Sequence, residues 1–235
     1  MEKVLYLEDS YLKEFEAVVT EVNKEKYIVL DKTAFYPSSG GQPHDTGIMD
    51  TGDLEFKVVF VGKFDGKISH EIDKTGLKVG DKVSCKIDWE RRYKLMRMHT
   101  ATHIIAAIIY KECGALISGN QLGGDQSRLD FTLENFDREK IQEYIELANE
   151  VVHKNIPVKI YFMKKEEAMK IPGIVKLAGA LPPDINELRI VEIEGLDIQA
   201  DGGTHLHHTG EIGHIELTRL ENKGKANRRL YFKIS

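Results

Sequence analysis

The chain has few cysteines, no long apolar run and no excess of positive charge, and each absence excludes a class of protein. Its two cysteines, Cys85 and Cys113, form no Cys-x-x-Cys pair, so we expect reduced, buried thiols rather than a disulfide framework. No apolar run reaches the roughly 18 residues of a membrane helix, and residues 1–6 lack the apolar core of a secretory signal. We therefore expect a cytoplasmic protein with no membrane partner.

The net charge of −5 also limits the choice of partners. Non-specific coating of nucleic acid depends on Lys and Arg side chains that release counterions from phosphates, so this charge argues against it. A local basic face remains open, and a solvated surface is the alternative for each basic residue. The two candidate basic groups are Arg91, Arg92, Lys94 and Arg97, and Lys223, Lys225, Arg228 and Arg229.

The sequence pattern changes near residue 90, which predicts two domains, 1–88 and 89–235. Before it, apolar runs separated by turn residues predict hairpins at 14–22 with 27–31 and at 56–61 with 67–72, and a further strand at 82–88. Short strands with Gly-rich turns are typical of a small β-barrel. The chain of 235 residues, 41% of them hydrophobic, is long enough to bury a core in each part.

The second part predicts an α+β domain with strands and helices in layers. We expect a long helix at 90–111 and an amphipathic helix at 137–153, whose apolar stripe is Ile141, Tyr144, Ile145, Ala148 and Val151. The remaining predictions are strands at 128–132, 156–162, 188–193, 211–217 and 229–234, and a short helix at 164–170. The fold class is therefore α+β, with an N-terminal barrel followed by an α+β domain.

Two histidines four residues apart, His99 and His103, lie in the predicted long helix and are followed by an apolar run at 104–109. This spacing places both imidazoles on one helix face. The pair alone is weak evidence, since nine histidines in 235 residues produce about 0.3 such pairs by chance. Two core histidines are the alternative interpretation. The segment Asp201-Gly-Gly-Thr-His205 adds a carboxylate and an imidazole on a tight turn. Together the two segments indicate a metal site suited to one zinc ion.

Three segments resemble the editing domain of alanyl-tRNA synthetases and the free-standing AlaX deacylases related to it, of the medium-length kind. They are 98–104 (MHTATHI), 201–213 (DGGTHLHHTGEIG) and the glycine-rich 35–47 (FYPSSGGQPHDTG), with weaker similarity at 119–123 and 127–131. The segments follow the family's order. The resemblance implies an N-terminal barrel and a metal-dependent hydrolase that acts in trans on aminoacyl-tRNA.

The resemblance places the family's metal ligands on His99, His103 and His205. Asp201 stands where the family usually has cysteine. A carboxylate can bind zinc at about 2.0–2.2 Å, so Asp201 is a candidate fourth ligand. It could instead orient a bound water or an imidazole without touching the metal, or act as the catalytic base. His207 and His208 are weaker candidates for replacement ligands.

The same resemblance extends to residues that bind substrate. Gln121, a catalytic candidate, and Asp130 fall in segments that line the family's amino-acid pocket, although a loop amide and a solvent-facing carboxylate are their ordinary alternatives. Gly40, Gly41 and Gln42 resemble a loop that closes over the site or touches the acceptor end of tRNA, since glycine permits positive φ and close backbone approach. A plain β-turn is the competing interpretation.

The expected activity is hydrolysis of the ester in tRNA(Ala) mischarged with serine, or also with glycine. Zinc, one ion per chain, is the expected cofactor, with no nucleotide cofactor, and mischarged tRNA(Ala) is the expected partner of a monomer or weak homo-oligomer. Two alternatives are a metal hydrolase on another aminoacyl ester and a non-catalytic tRNA-binding module whose zinc is structural.

Overall fold

A computed structural model describes residues 3–133, 137–174, 186–224 and 226–235. The chain divides into two compact units, Met1–Leu95 and Met96–Ser235. Helix α1, Trp89–Cys113, begins in the first unit and continues into the second. None of the helices in the described ranges has the length and apolar character of a membrane span.

A closed six-stranded barrel forms most of the first unit, in the order β2-β3-β7-β6-β5-β8. The strands of this unit are β1 Lys3–Val4, β2 Glu14–Asn23, β3 Tyr27–Leu30, β4 Lys32–Thr33, β5 Gly47–Asp50, β6 Glu55–Phe64, β7 Lys67–Ile72 and β8 Lys82–Ile87. Strand β8 alternates exposed and buried residues along its length, as a strand with one face on a core must. The predicted barrel and both of its hairpins are confirmed. Strand β5 was not predicted.

The β6–β7 hairpin turns at Asp65 and Gly66, with φ of 48° and 81°. Two consecutive positive φ values match the right-handed twist of the flanking strands, which is why Asp-Gly is favoured there. The cysteine prediction holds in part. Cys85 is buried in the barrel core, where burial raises the pKa of its thiol, whereas Cys113 at the end of α1 is exposed.

Arg92 is fully buried in the first unit, so the prediction that it belongs to an exposed basic face is wrong. Its guanidinium donates to both carboxylate oxygens of Asp45 and to the carbonyls of Ser10 and Ala34. Asp45 also accepts the backbone N–H of Tyr36 at 2.6 Å. A buried charge is tolerated only when it is paired and hydrogen-bonded, and these contacts satisfy both partners.

In its described residues the second unit has two sheets, with strand orders β14-β15-β10-β9 and β11-β12-β13. Its strands are β9 Ile117–Gln121, β10 Ser127–Phe131, β11 Val158–Lys164, β12 Glu187–Ile193, β13 Asp197–Ala200, β14 Ile215–Asn222 and β15 Arg228–Ile234. Its further helices are α2 Arg138–His153 and α3 Lys165–Ala168. The predicted α+β class is confirmed, and β9 and β13 were not predicted.

Helix α2 begins at its N-cap Asp137, whose side chain accepts the backbone N–H groups of Glu139 and Lys140. Its buried face follows the predicted stripe, except that Val152 is buried where Val151 was expected. Asn149 is buried on the same face. Its amide exchanges two hydrogen bonds with the backbone of Ile215, which joins the helix to the edge strand β14.

The strand predicted at 211–217 is wrong in its first half. Residues Thr209–Ile212 form a 3-10 turn and β14 begins only at Ile215. Gly213 separates them with a φ of 85°. A Cβ there would lie 2.2 Å from the carbonyl oxygen of Ser235, so glycine is required and the chain bends before the strand starts.

Four of the other candidate basic residues also have partners within the protein. Arg97 donates to the carbonyls of Ile212 and Ser235, and Arg229 forms a bidentate pair with Asp130. Arg228 is buried, and its guanidinium donates to Asn222 and to the carbonyl of Gly224. Lys223 pairs with Glu221, and Lys225 lies outside the described residues.

We predict that Arg92→Leu will destabilise the protein by about 3–5 kcal/mol, because it leaves the Asp45 carboxylate buried without its partner. Chemical denaturation monitored by circular dichroism measures the change. Lys94→Leu is the matched control two residues further along α1, because Lys94 is exposed and pairs with Glu90 at the surface, so its loss should change the midpoint little. Equal midpoints for the two variants would contradict the prediction.

Candidate metal centre

Helix α1 presents His99 and His103 to one side, one turn apart, with their ring centroids 5.2 Å apart. The segment after β13 brings Asp201 and His205 to the same place. The ring of His205 lies 4.2 Å from that of His99 and 4.7 Å from that of His103. All three histidines are buried. The two halves of the predicted cluster therefore meet.

The metal-binding atoms of the four residues lie within 4.8 Å of one another. The Nε2 atom of His205 is 3.0 Å from Oδ1 of Asp201, while the Nε2 atoms of His99 and His103 are 3.7 Å and 4.0 Å from its Oδ2. Tetrahedral zinc with bonds near 2.0–2.1 Å spaces its ligand atoms by about 3.4 Å. The donor set and its spacing therefore fit one metal ion.

Gly203 makes the close approach of the two segments possible. A Cβ at this position would lie 2.2 Å from Cε1 and 2.4 Å from Nδ1 of the His99 ring. The backbone N–H of Gly203 also donates to Oδ1 of Asp201 at 2.6 Å, which fixes the carboxylate. The second glycine of the Asp-Gly-Gly-Thr-His segment is thus a steric requirement of the cluster.

Asp197 and Thr100 contact the Nδ1 atoms of His103 and His205, and the sequence did not single out either residue. Asp197, whose side chain is fully buried, lies 3.0 Å from Nδ1 of His103 and also accepts from Gln199 at 2.7 Å. The hydroxyl of Thr100 lies 3.2 Å from Nδ1 of His205. A carboxylate beside Nδ1 of His103 favours the proton on that atom and leaves Nε2 of the same ring available to a metal. Asp197 stands two residues before Gln199 on β13, and nothing in its spacing marks it in the sequence.

Arg189 on β12 secures the Asp201 backbone. Its guanidinium donates to the carbonyl of Asp201 at 2.8 Å, and the N–H of Asp201 donates to the carbonyl of Arg189 at 3.1 Å. The position of the carboxylate is therefore fixed through its main chain as well as by Gly203. Sequence analysis also missed this residue.

Burial keeps the imidazoles of His99 and His205 neutral. Burial holds the pKa of His99 well below 6.5 and lowers the pKa of His205 to about 4. For the Asp201 carboxyl, burial acts to raise the pKa, but the interactions with His99 and His205 outweigh it and hold the pKa well below its usual value. At neutral pH His99 and His205 thus offer neutral imidazoles beside the Asp201 carboxylate, the protonation states that bind metals.

The remaining predicted residues are not part of the four-residue cluster. His207 and His208 are exposed and are not part of the cluster. Gln121 is exposed at the end of β9, not in a loop, where it pairs in register with Arg128. Asp130 on β10 is paired with Arg229, at 2.6 Å and 2.8 Å. The roles of Gln121 and Asp130 toward a substrate stay predictions.

The Gly-Gly-Gln segment forms a tight turn in the first unit. Ser39 and Gln42 exchange two backbone hydrogen bonds, at 2.8 Å and 3.1 Å, around Gly40 and Gly41. These glycines have φ of 57° and 85°, the left-handed region that favours glycine. Both glycines are exposed, whereas Gln42 is buried. The turn presents its glycine backbone to solvent, and its contact with a substrate stays a prediction.

Comparison with known proteins agrees with this arrangement. The family profile described as class II (A) tRNA synthetases matches residues 3–91, and the threonyl and alanyl tRNA synthetase second additional domain matches 188–231. The alanyl-tRNA editing protein AlaX-M of Methanosarcina acetivorans is 55% identical, with 100% of this chain and 99% of that protein covered. The chain belongs to the AlaX-M family.

Other relatives extend the similarity. The AlaX-M protein of Saccharolobus solfataricus is 49% identical, with 100% of this chain and 99% of that protein covered. The alanine--tRNA ligase of Pyrococcus furiosus is 41% identical over 98% of this chain, which corresponds to 25% of the ligase. The resemblance to free-standing AlaX proteins and to a part of alanyl-tRNA synthetase is therefore confirmed.

We predict that Asp197→Asn will weaken metal binding by about 10- to 100-fold, because His103 loses the carboxylate that orients it. Competition with a metal-binding dye, using zinc and the purified protein, measures the affinity. Glu194→Gln is the matched control, because Glu194 lies in the same β12–β13 turn region but forms an exposed pair with Lys159. Unchanged affinity in the Asp197 variant would show that His103 needs no such support.

Proposed function

We propose that this protein is a trans-acting deacylase that hydrolyses the ester of mischarged tRNA(Ala), with Ser-tRNA(Ala) as its main substrate and Gly-tRNA(Ala) as a second. The cluster of His99, His103, Asp201 and His205 carries the proposal. It lies in a chain that matches alanyl-tRNA editing proteins along their whole length. Ester hydrolysis by water needs no nucleotide cofactor.

Zinc is the metal that the donor set favours. Three imidazoles and a carboxylate match its usual nitrogen and oxygen ligands, whereas magnesium and calcium prefer sites built from oxygen alone. When bound, zinc would polarise the ester carbonyl or bring the pKa of a water near 7, for which that oxygen would have to bind as an additional ligand beside the four protein ligands. The protein's own contribution is to hold His103 and His205 through Asp197 and Thr100 in the geometry that leaves Nε2 available.

Asp201 is proposed as the fourth ligand rather than as a general base. Its Oδ1 faces Nε2 of His205 at 3.0 Å and accepts from Gly203, while Oδ2 points toward His99 and His103. A general base works best with a pKa near the working pH, and the low pKa of this carboxyl does not meet that condition. Its side chain is 24% exposed, so a substrate can approach the cluster on its side.

In this proposal two further groups of residues bind different parts of the substrate. Gly40, Gly41 and Gln42, in the proposed domain 1–88, contact the tRNA end. Gln121 and Asp130, in the proposed domain 89–235, face the amino acid. Serine offers a hydroxyl that alanine lacks, and a pocket that hydrogen-bonds this hydroxyl can reject alanine strongly.

We predict that the wild-type protein will hydrolyse Ser-tRNA(Ala) and Gly-tRNA(Ala) faster than correctly charged Ala-tRNA(Ala), measured side by side with zinc present.

Gln121→Ala should reduce the serine-to-alanine ratio of kcat/KM while leaving tRNA affinity nearly unchanged, because the lost amide belongs to the amino-acid pocket. Asn120→Ala, a change at the neighbouring strand position, is the control. Zinc binding without hydrolysis of any of these substrates would contradict the enzyme and favour a tRNA-binding module with a structural metal.

We further predict that the purified protein holds about one equivalent of zinc and that Asp201→Cys holds it more tightly, because thiolate is the softer and stronger ligand for zinc. Elemental analysis measures the content, and timed release to a chelator compares the two forms. His103→Ala should lose most of the metal. Equal release rates from the wild type and Asp201→Cys would mean that Asp201 does not contact the ion.

A further inference from the structure

A surface groove on the first unit lies beside the chain's only tryptophan, Trp89. The groove has a volume of about 610 Å³ and a mostly apolar lining. That volume lies within the range of roughly 300–1,000 Å³ typical of ligand pockets. Its lining includes Thr46, Lys57, Val59, Lys86, Ile87 and Trp89. None of the residues assigned above to metal or substrate lines it.

Trp89 belongs to an aromatic group on this surface. Its ring centroid lies 5.5 Å from those of Tyr11 and Tyr93. The ammonium of Lys13 is 4.5 Å from the centre of the indole ring. Trp89, Tyr11 and Tyr93 are all partly exposed. Partly exposed aromatic side chains in a positively charged groove are the groups on which proteins stack the bases of single strands.

The groove lining carries two cations, Lys57 and Lys86, against one carboxylate, Asp88. Both lysines are exposed, and Lys86 makes only a solvent-exposed pair with Glu14 at 3.4 Å. The carboxylate of Asp88, which also lines the groove, accepts two hydrogen bonds within the protein. Its Oδ2 accepts the hydroxyl of Thr46 and its Oδ1 accepts the backbone N–H of Arg91.

Main-chain adjacency and hydrogen bonds link the groove lining to the segment that carries the Gly-Gly-Gln turn. Thr46, in the lining, directly follows Asp45, where that segment is anchored to Arg92. His44 bonds through Nε2 to the carbonyl of Val59, a lining residue, and its own carbonyl accepts from Arg91.

We infer that this groove binds a single-stranded segment of the tRNA, with a base stacked on Trp89 and phosphates at Lys57 and Lys86. The choice of tRNA rests on the proposed function. The groove itself rests on its aromatic and charged lining. It supplies phosphate contacts that the buried Arg92 cannot make.

Because Trp89 is the only tryptophan, its fluorescence reports on this site directly. Uncharged tRNA(Ala) and a single-stranded RNA heptamer are titrated against the full-length protein. Both should quench the emission in a saturable way, and a blunt RNA duplex of the same length should bind more weakly. The absence of quenching, or tighter binding of the duplex, would overturn the inference.

Variants separate the groove from general electrostatics. For the heptamer, Lys57→Gln with Lys86→Gln should reduce the slope of log affinity against log salt by about 1.4, the value for two phosphate contacts on a single strand. Lys78→Gln with Lys82→Gln is the matched control, since it removes the same charge from exposed barrel lysines outside the groove lining. Equal slopes for the two double variants would exclude phosphate contacts at the groove.

Trp89→Leu should weaken binding of the heptamer by about five- to 150-fold, the range for loss of one stacked base, and Trp89→Phe should retain most of it. Fluorescence anisotropy of the labelled heptamer measures both variants. If Trp89→Phe weakens binding as much as Trp89→Leu, stacking at this position is excluded. Thermal unfolding of each variant identifies any loss that comes from misfolding, in which case the wild-type quenching and the lysine variants decide.

The two proposals fail in different ways. If the wild type deacylates Ser-tRNA(Ala) but the groove variants bind RNA like the wild type, the groove is excluded and the proposed function stands. If the heptamer quenches Trp89 but no charged tRNA is hydrolysed, the groove stands and the deacylase is excluded.

Discussion

Burial of polar side chains along α1 is the constraint on which the structure depends. The helix is lined by apolar residues such as Leu95, Met98 and Ile105 that are almost completely buried, so a polar group between them has no access to water. A buried polar group without a partner costs several kcal/mol or changes its protonation. Each such residue on α1 therefore determines where another segment must lie. Arg92 requires Asp45, and His103 requires Asp197.

The same constraint gives the metal cluster its chemistry. An imidazole in water is partly protonated near neutral pH, and a protonated ring cannot bind a metal. Burial removes this competition by disfavouring the charged form of His99 and His205. Asp201 stays more exposed than the three histidines and keeps its charge. The cluster thus combines neutral nitrogen donors inside with one anionic oxygen at the surface.

Local patterns predicted the fold well where the signal was local. Asp65-Gly66 and the alternation in β8 identify barrel hairpins and strands, because turn chemistry and pleat period act over a few residues. The four cluster residues were also predicted, although their two halves are about a hundred positions apart, because the resemblance joined them. Short polar strands such as β13, DIQA, carry no such pattern. Asp197 and the partner of Arg92 escaped prediction because each contact joins positions more than forty residues apart.

Several hydrogen bonds fix the turn around Gly40 and Gly41. Ser39 and Gln42 bond each other twice, and the hydroxyl of Tyr36 donates to the carbonyl of Ser39. The segment closes where Tyr36 and Asp45 bond each other. Ordering a loop costs about 1–2 kcal/mol of backbone entropy per residue. In this turn the backbone is already ordered in the folded protein. A ligand that contacts the glycines therefore meets a surface whose shape is set in advance, and its binding energy remains available for selectivity.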